Sequence, residues 1–167
     1  GRNRRSFIPA QVATYLKSKG HEVDGWIWDE NYEKTGITGW TYHPIKKQYL
    51  HQPYTSNEFY SPITKYDLII HLGAISSTTE NDVEMVMRQN YDFTLWLINQ
   101  CQFHKIPLQY ASSASVYGST KHFIEDGKCD PKTPYAWSKY LIDRIVQKHG
   151  SNFTSPVVGF RYFNVYG

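Results

Sequence analysis

Ile106-Pro107-Leu108-Gln109-Tyr110-Ala111-Ser112-Ser113-Ala114-Ser115-Val116-Tyr117-Gly118 reads as a short buried strand that runs into small hydroxyl residues and stops at a glycine turn. In open parallel sheets ligands bind outside the carboxyl ends of the strands, which is where Ser113 falls. The next block, Pro134-Tyr135-Ala136-Trp137-Ser138-Lys139, opens a helical pattern whose apolar face is Leu141, Ile142, Ile145 and Val146 and whose end is Gly150. On that helix Tyr135 and Lys139 lie one turn apart, so the ammonium stands beside the phenol and favours its phenolate. A free phenol ionises only near pH ~10, and a neighbouring cation is the direct way to make it a base at neutrality. Taken alone, Tyr-x-x-x-Lys more often describes an amphipathic surface helix. The serine block upstream turns it toward a site.

Working outward, Ile8, Val12, Ala13 and Leu16 form a helical stripe ending at Gly20, and Glu22 to Trp28 is a strand with Asp29 at its end. A carboxylate there suits ribose hydroxyls in a dinucleotide fold, and it also suits a plain turn. Trp40 to Gln52 has no clean period and reads as irregular structure or an unsure strand. Asp67 to Leu72 is a buried-strand pattern followed by Gly73-Ala74, small enough for a flat ring or pyrophosphate to approach the backbone. A long helix follows from Asn81 to Phe103, with Val83, Val86, Met87, Phe93, Leu97, Ile98 and Cys101 on its apolar spacing. Thr79 or Ser77 is placed to cap it ahead of Glu80. Asn90 lies inside this helix among apolar neighbours. Pro156 to Arg161 is a last buried strand, and strands alternating with helices argue an α/β, doubly wound parallel sheet.

Ser113, Tyr135 and Lys139, with Ser-Val-Tyr-Gly and Pro-Tyr-Ala-x-Ser-Lys around them, resemble the catalytic residues of the extended short-chain dehydrogenase/reductases, the NAD-dependent epimerase/dehydratase family. Within that group the blocks His71 to Glu80, Tyr110 to Gly118 and Gly159 to Gly167 are most similar to the ADP-L-glycero-D-manno-heptose 6-epimerases. The resemblance implies a Rossmann-like fold, an NAD or NADP cofactor, and a nucleotide-sugar substrate. It gives Ser113, Tyr135 and Lys139 catalytic roles. Phe7, Ile8, Asp29, Leu72, Gly73, Ala74, Asn90, Lys139 and Val165 are then expected at the cofactor, and Ser76, Ser113 and Asn164 at the substrate.

The chain also departs from the family. Asn3, Ser6 and Pro9 stand where a strand and three glycines are expected, and Pro9 has no N–H to give a phosphate. The reading is therefore residues 1–167 as a partial dinucleotide-binding domain, with the first strand and the C-terminal substrate region missing and this stretch inactive alone. Ala114 and Ser115 occupy the positions of the acid pair that the family's dehydratases use, which disfavours dehydration. Epimerisation through a transient ketone is the first expectation. A nucleotide-sugar reductase, or a truncated fold without catalysis, is the alternative. Asp29 suits the free ribose of NAD, while Lys34 could reach the phosphate of NADP.

Composition narrows the rest. An apolar content of 40% and an aromatic content of 16% supply a core for one domain. The net charge of +3 is scattered rather than striped, so nucleic acid is not implied. No run reaches the length of a membrane span and no signal sequence is visible. Cys101 and Cys129 read as reduced thiols of a cytoplasmic protein, and the histidines are too dispersed for a metal site. A homo-oligomer is the expected state at full length.

Overall fold

The computed structural model describes residues 7–27, 41–44, 63–77 and 79–165. Asn3, Ser6, Asp29 and Lys34, all named above, lie outside them. The chain divides into two compact units, Gly1–Thr55 and Ser56–Gly167.

In the first unit, helix α1 spans Phe7–Ser18 and buries Ala13, with Val12 and Leu16 half-buried beside it. Pro9 sits in its first turn, where a missing N–H breaks no helical bond. Gly20 ends the helix at φ +88°, and His21 N–H returns to the Leu16 carbonyl at 3.2 Å, closing the last turn. Strand β1, Asp24–Ile27, pairs in parallel with β2, Thr41–Pro44, Asp24 opposite Thr41. A strand thus forms within the irregular Trp40 to Gln52 stretch.

The second unit holds three parallel strands in the order β3-β4-β5: Ile69–His71, Leu108–Ser113 and Val157–Tyr162. Their register runs from Ile69 opposite Leu108 and from Leu108 opposite Val157 to Ser113 opposite Tyr162. Parallel neighbours need long crossovers, and helices supply them. The first is one continuous helix in three parts: α2, Val83–Val86, a π-helical stretch, Met87–Asp92, and α3, Phe93–His104. Its cap is Asp82, whose carboxylate accepts from Met85 N–H at 2.9 Å, rather than Ser77 or Thr79, which hydrogen-bond each other. Glu80 takes the next two amides, Asn81 and Asp82, outside the helix. Val86, Phe93, Leu97, Ile98 and Cys101 are buried as expected, but Val83 in the first turn is exposed.

Helix α4, Pro134–His149, is the second crossover. Thr133 caps it by accepting from Ala136 N–H at 3.1 Å, and proline stands at its start. Its inner face differs from the expected apolar one. Ile142 is buried, but Leu141, Ile145 and Val146 are only half-buried, and Ser138, Lys139 and Asp143 take the inside positions. Strand β5 is likewise less buried than its sequence suggests, with Val158 and Phe160 exposed; among the described residues it pairs with β4 alone. Strand β4 alternates, turning Leu108, Tyr110 and Ser112 inward.

Two glycines are obligatory. Gly118 turns the chain at φ +57°, and a Cβ there would overlap the Asp130 carbonyl at 1.7 Å. At Gly159 a Cβ would lie 2.3 Å from Cζ of Tyr110, so the tyrosine ring crosses β5 only because no side chain begins there.

Candidate active site

Helix α4 presents Tyr135, Lys139 and Asp143 at successive turns of one face. Tyr135 is half-buried and Lys139 is 3% exposed, with its ammonium 6.0 Å from the centre of the Tyr135 ring. The expected tyrosine–lysine pair is therefore brought together. Burial pulls the lysine down to about 8, and the Asp143 carboxylate opposes that fall.

Ser113 ends β4, half-buried, at the carboxyl edge where it was expected. Its Oγ accepts from the Ser115 amide at 3.2 Å and from the Ser115 hydroxyl at 2.9 Å. Both bonds use acceptor capacity, so the Ser113 O–H remains available to donate.

Asn90 is fully buried in the π-helical stretch and does more than line a helix edge. Its Oδ1 accepts from Ile75 N–H at 2.8 Å, and its Nδ2 donates to the Ile75 carbonyl at 3.0 Å and to Ser138 Oγ at 3.2 Å. One side-chain amide thereby pins the loop after β3, which carries Leu72, Gly73 and Ala74, to the helix between Tyr135 and Lys139. Ser138 completes the link by donating to the Tyr135 carbonyl at 2.7 Å. Gly73 and Ser76 are exposed on that loop, and Leu72 and Ala74 are half-buried. Asn164 and Val165 follow β5 and are exposed. In the first unit Phe7 and Ile8 open α1, whose first amides have no helical partner.

Several site residues carried no recognisable signal in the sequence. His71 Nε2 lies 3.0 Å from Thr94 Oγ1, and that hydroxyl donates its proton to the Asn90 carbonyl at 2.5 Å. Thr94 must then accept from the imidazole, which fixes the neutral Nε2–H form of His71. Burial first, and the Lys139 ammonium second, push His71 down to about 3. Asp143, 5% exposed, accepts from the Tyr110 hydroxyl at 2.8 Å, Ser112 Oγ at 2.9 Å and Arg161 Nε at 2.8 Å. The clue available for Asp143 was its spacing, one helical turn beyond Lys139.

The buried lysine yields a stability test. Its folded-state value lies below the ordinary 10.5, so the unfolded chain holds the extra proton between about 8 and 10.5. Stability therefore rises with pH across that window, and the full penalty of the buried ammonium, ~3 kcal/mol, applies below it. Lys139→Met is expected to unfold at higher urea than the native chain at pH 7, with the difference closing toward pH 10. A variant no more stable at pH 7 would count against a strained, charged lysine.

Comparison with known proteins identifies the family and the fold. The NAD dependent epimerase/dehydratase family matches residues 4–167. Helicobacter pylori ADP-L-glycero-D-manno-heptose-6-epimerase is similar with a TM-score of 0.78 and 27% identity, over 98% of this chain and 54% of that one. UDP-glucose 4-epimerase from Thermotoga maritima has a TM-score of 0.80 at 17% identity, over 99% and 55% of the two chains. An NAD-dependent NDP-hexosamine 5,6-dehydratase of tunicamycin biosynthesis also has a TM-score of 0.80, at 22% identity, over 98% and 54%. The last two establish the Rossmann-like α/β fold. The chain spans about half the length of each of these structures. With the family matching nearly end to end and the fold that of its solved members, the chain belongs to the NAD-dependent epimerase/dehydratase family.

Proposed function

We propose that this chain is part of the dinucleotide-binding domain of a nucleotide-sugar epimerase of the heptose 6-epimerase type. In this reading Ser113, Tyr135 and Lys139 carry the proton chemistry. The observation that supports it is the buried Lys139 ammonium set beside the Tyr135 ring on a helix tied through Ser138 and Asn90 to the Gly73-Ala74 loop. A buried cation serves nothing in the core and costs stability. Beside a phenol it stabilises a phenolate.

The donor set fits the reactive end of a nicotinamide dinucleotide, with a buried ammonium, a phenol and a small-residue loop held by an amide. Lys139 would hold the nicotinamide ribose. Leu72, Gly73, Ala74 and Val165 would supply backbone and apolar contacts, with Asn90 fixing the loop. Phe7 and Ile8 would offer amides to the pyrophosphate and Asp29 a carboxylate to the other ribose. When bound, the dinucleotide supplies removal and return of a hydride at the sugar carbon. Tyr135 takes the proton from that carbon's hydroxyl and later gives it back. Ser113, with its own O–H free, donates to the oxygen as negative charge develops. Ser76 and Asn164 are assigned to the sugar. NAD is favoured over NADP by the family's description. The working protein is read as a cytoplasmic homo-oligomer without nucleic-acid or membrane partners.

The test uses the whole protein with NAD and ADP-L-glycero-D-manno-heptose in deuterated water, followed by proton NMR. The two C6 epimers are expected to interconvert, with no deuterium at C6 and no net change in cofactor oxidation state. Deuterium washed into C6 would mean that a proton, not a hydride, leaves that carbon. Stoichiometric oxidation of added reduced cofactor would make the protein a reductase.

A further inference from the structure

The polar inner face of α4 ends in a residue that the chemistry above leaves unused. Asp143 is buried, and its three hydrogen-bond donors among the described residues come from the strands whose carboxyl ends border the site: Tyr110 and Ser112 on β4, and Arg161 on β5. Ser112 is the neighbour of Ser113, and Asp143 stands one turn beyond Lys139 and two beyond Tyr135. Arg161 is itself braced, donating to the Glu125 carbonyl at 3.1 Å with its guanidinium 4.9 Å from the Tyr117 ring centre. We propose that Asp143 is the positioning residue of this site, locking the helix that bears Tyr135 and Lys139 to the strand that bears Ser113. The inference rests on the reading of those three residues as the reacting set.

Two features argue for this over plain packing. A helix held to a sheet by apolar contacts alone can slide by fractions of an ångström at little cost. A carboxylate bound by three directional donors on two strands cannot, and catalytic geometry is sensitive at that scale. The second feature is charge. Lys139 and Arg161 are both cations placed largely out of water; Asp143 is ion-paired with Arg161 and stands one helical turn from Lys139, whose charged form it favours. Among the described residues, the other titratable groups of this cluster are His71 from β3, which feels the Lys139 ammonium, Tyr110 from β4, bonded to Asp143, and Tyr135 on the same helix. His71 is neutral, and burial with the adjacent carboxylate keeps the Tyr110 phenol protonated far above its ordinary range. Arg88, on the helix packed against α4, is paired with Glu84. Asp143 is thus the anion among these groups that balances the ammonium used by the site.

The experiment is a titration of Lys139 by carbon NMR in the whole protein with labelled lysine, native and Asp143→Asn, alongside steady-state kinetics. The amide keeps the shape and loses the charge. The Lys139 midpoint is expected to fall by roughly one pH unit from its native value near 8. Turnover is expected to drop at least tenfold, with KM for the sugar nearly unchanged. An unmoved midpoint in a folded Asp143→Asn protein overturns the proposal, and so does unchanged turnover. If that variant does not fold, Tyr110→Phe carries the test, since it deletes one donor and no charge. Its turnover should fall several-fold at unchanged sugar KM, and native turnover overturns the proposal. The titration needs no reaction, so a failure of the Ser113–Tyr135–Lys139 reading, seen as an active Tyr135→Phe, is distinguishable from a failure of Asp143.

Discussion

Tyr135→Phe in the whole protein is expected to lose epimerisation by about a thousandfold or more while binding NAD with near-native affinity. The substitution removes one oxygen. The helix start stays in place because Thr133 caps it, and Ser138 still grips the carbonyl of residue 135. Lys139 keeps its burial and its charge. On the proposed function, what disappears is the group assigned to accept the hydroxyl proton as the carbon is oxidised, and general acid–base catalysis alone contributes on the order of 10² to 10⁴ in rate. With the proton acceptor gone, the Ser113 hydroxyl still donates to the sugar oxygen but cannot take up its proton at neutral pH. NMR-monitored epimerisation and calorimetry with NAD check the two halves separately. Turnover within tenfold of native would remove Tyr135 from the chemistry. Lost NAD binding would make its role structural.

Burial of the His71 imidazole is expected to make this fold sensitive to acid. His71 ionises at about 3 in the folded chain against 6.5 when free, so below pH 6.5 the unfolded state binds a proton that the folded state refuses. The stability is complete above 6.5 and falls as pH drops, by about 3 kcal/mol at pH 4 and ~4 kcal/mol near pH 3. That is comparable to the whole stability of a small domain. Charging the ring would also set a second cation near Lys139 with the Thr94 oxygen as its recorded partner. Urea denaturation at pH 7 and pH 4 should show the native protein losing far more than His71→Asn. Equal losses in the two proteins would exonerate the histidine.

How legible these residues were depends on the range of their partners. The tyrosine–lysine pair, the strand end at Ser113 and the helical stripe to Cys101 are local patterns, and a sequence displays those directly. Asn90 was visible as a polar residue among apolar ones, but its bonds to Ile75 and Ser138, and the π-helical stretch around it, depend on chain far from it. Asp143 followed by Arg144 resembles any solvated helix pair. Its true partners are Tyr110, Ser112 and Arg161, which no local pattern links to it. The apolar face read at Leu141, Ile145 and Val146 failed for the same reason, since the inside of α4 is organised by ion pairing as well as by hydrophobic burial. Pro156 to Arg161 reads as a buried strand because composition registers β-branched and aromatic content, and not what packs against the strand.

The ring of Tyr110 occupies the space where a side chain at 159 would begin. A side chain at 159 therefore forces the Tyr110 ring to shift from its place. An alanine at 159 would favour something slimmer than tyrosine at 110, and the slimmer residue would not bring a hydroxyl to Asp143. Among relatives of this chain, a larger residue at one position should be met by a smaller one at the other, with the acid on α4 altered to match. Anyone transplanting the Gly-Phe-Arg-Tyr-Phe-Asn segment into a different sheet must carry the tyrosine with it, or accept a carboxylate short of one partner.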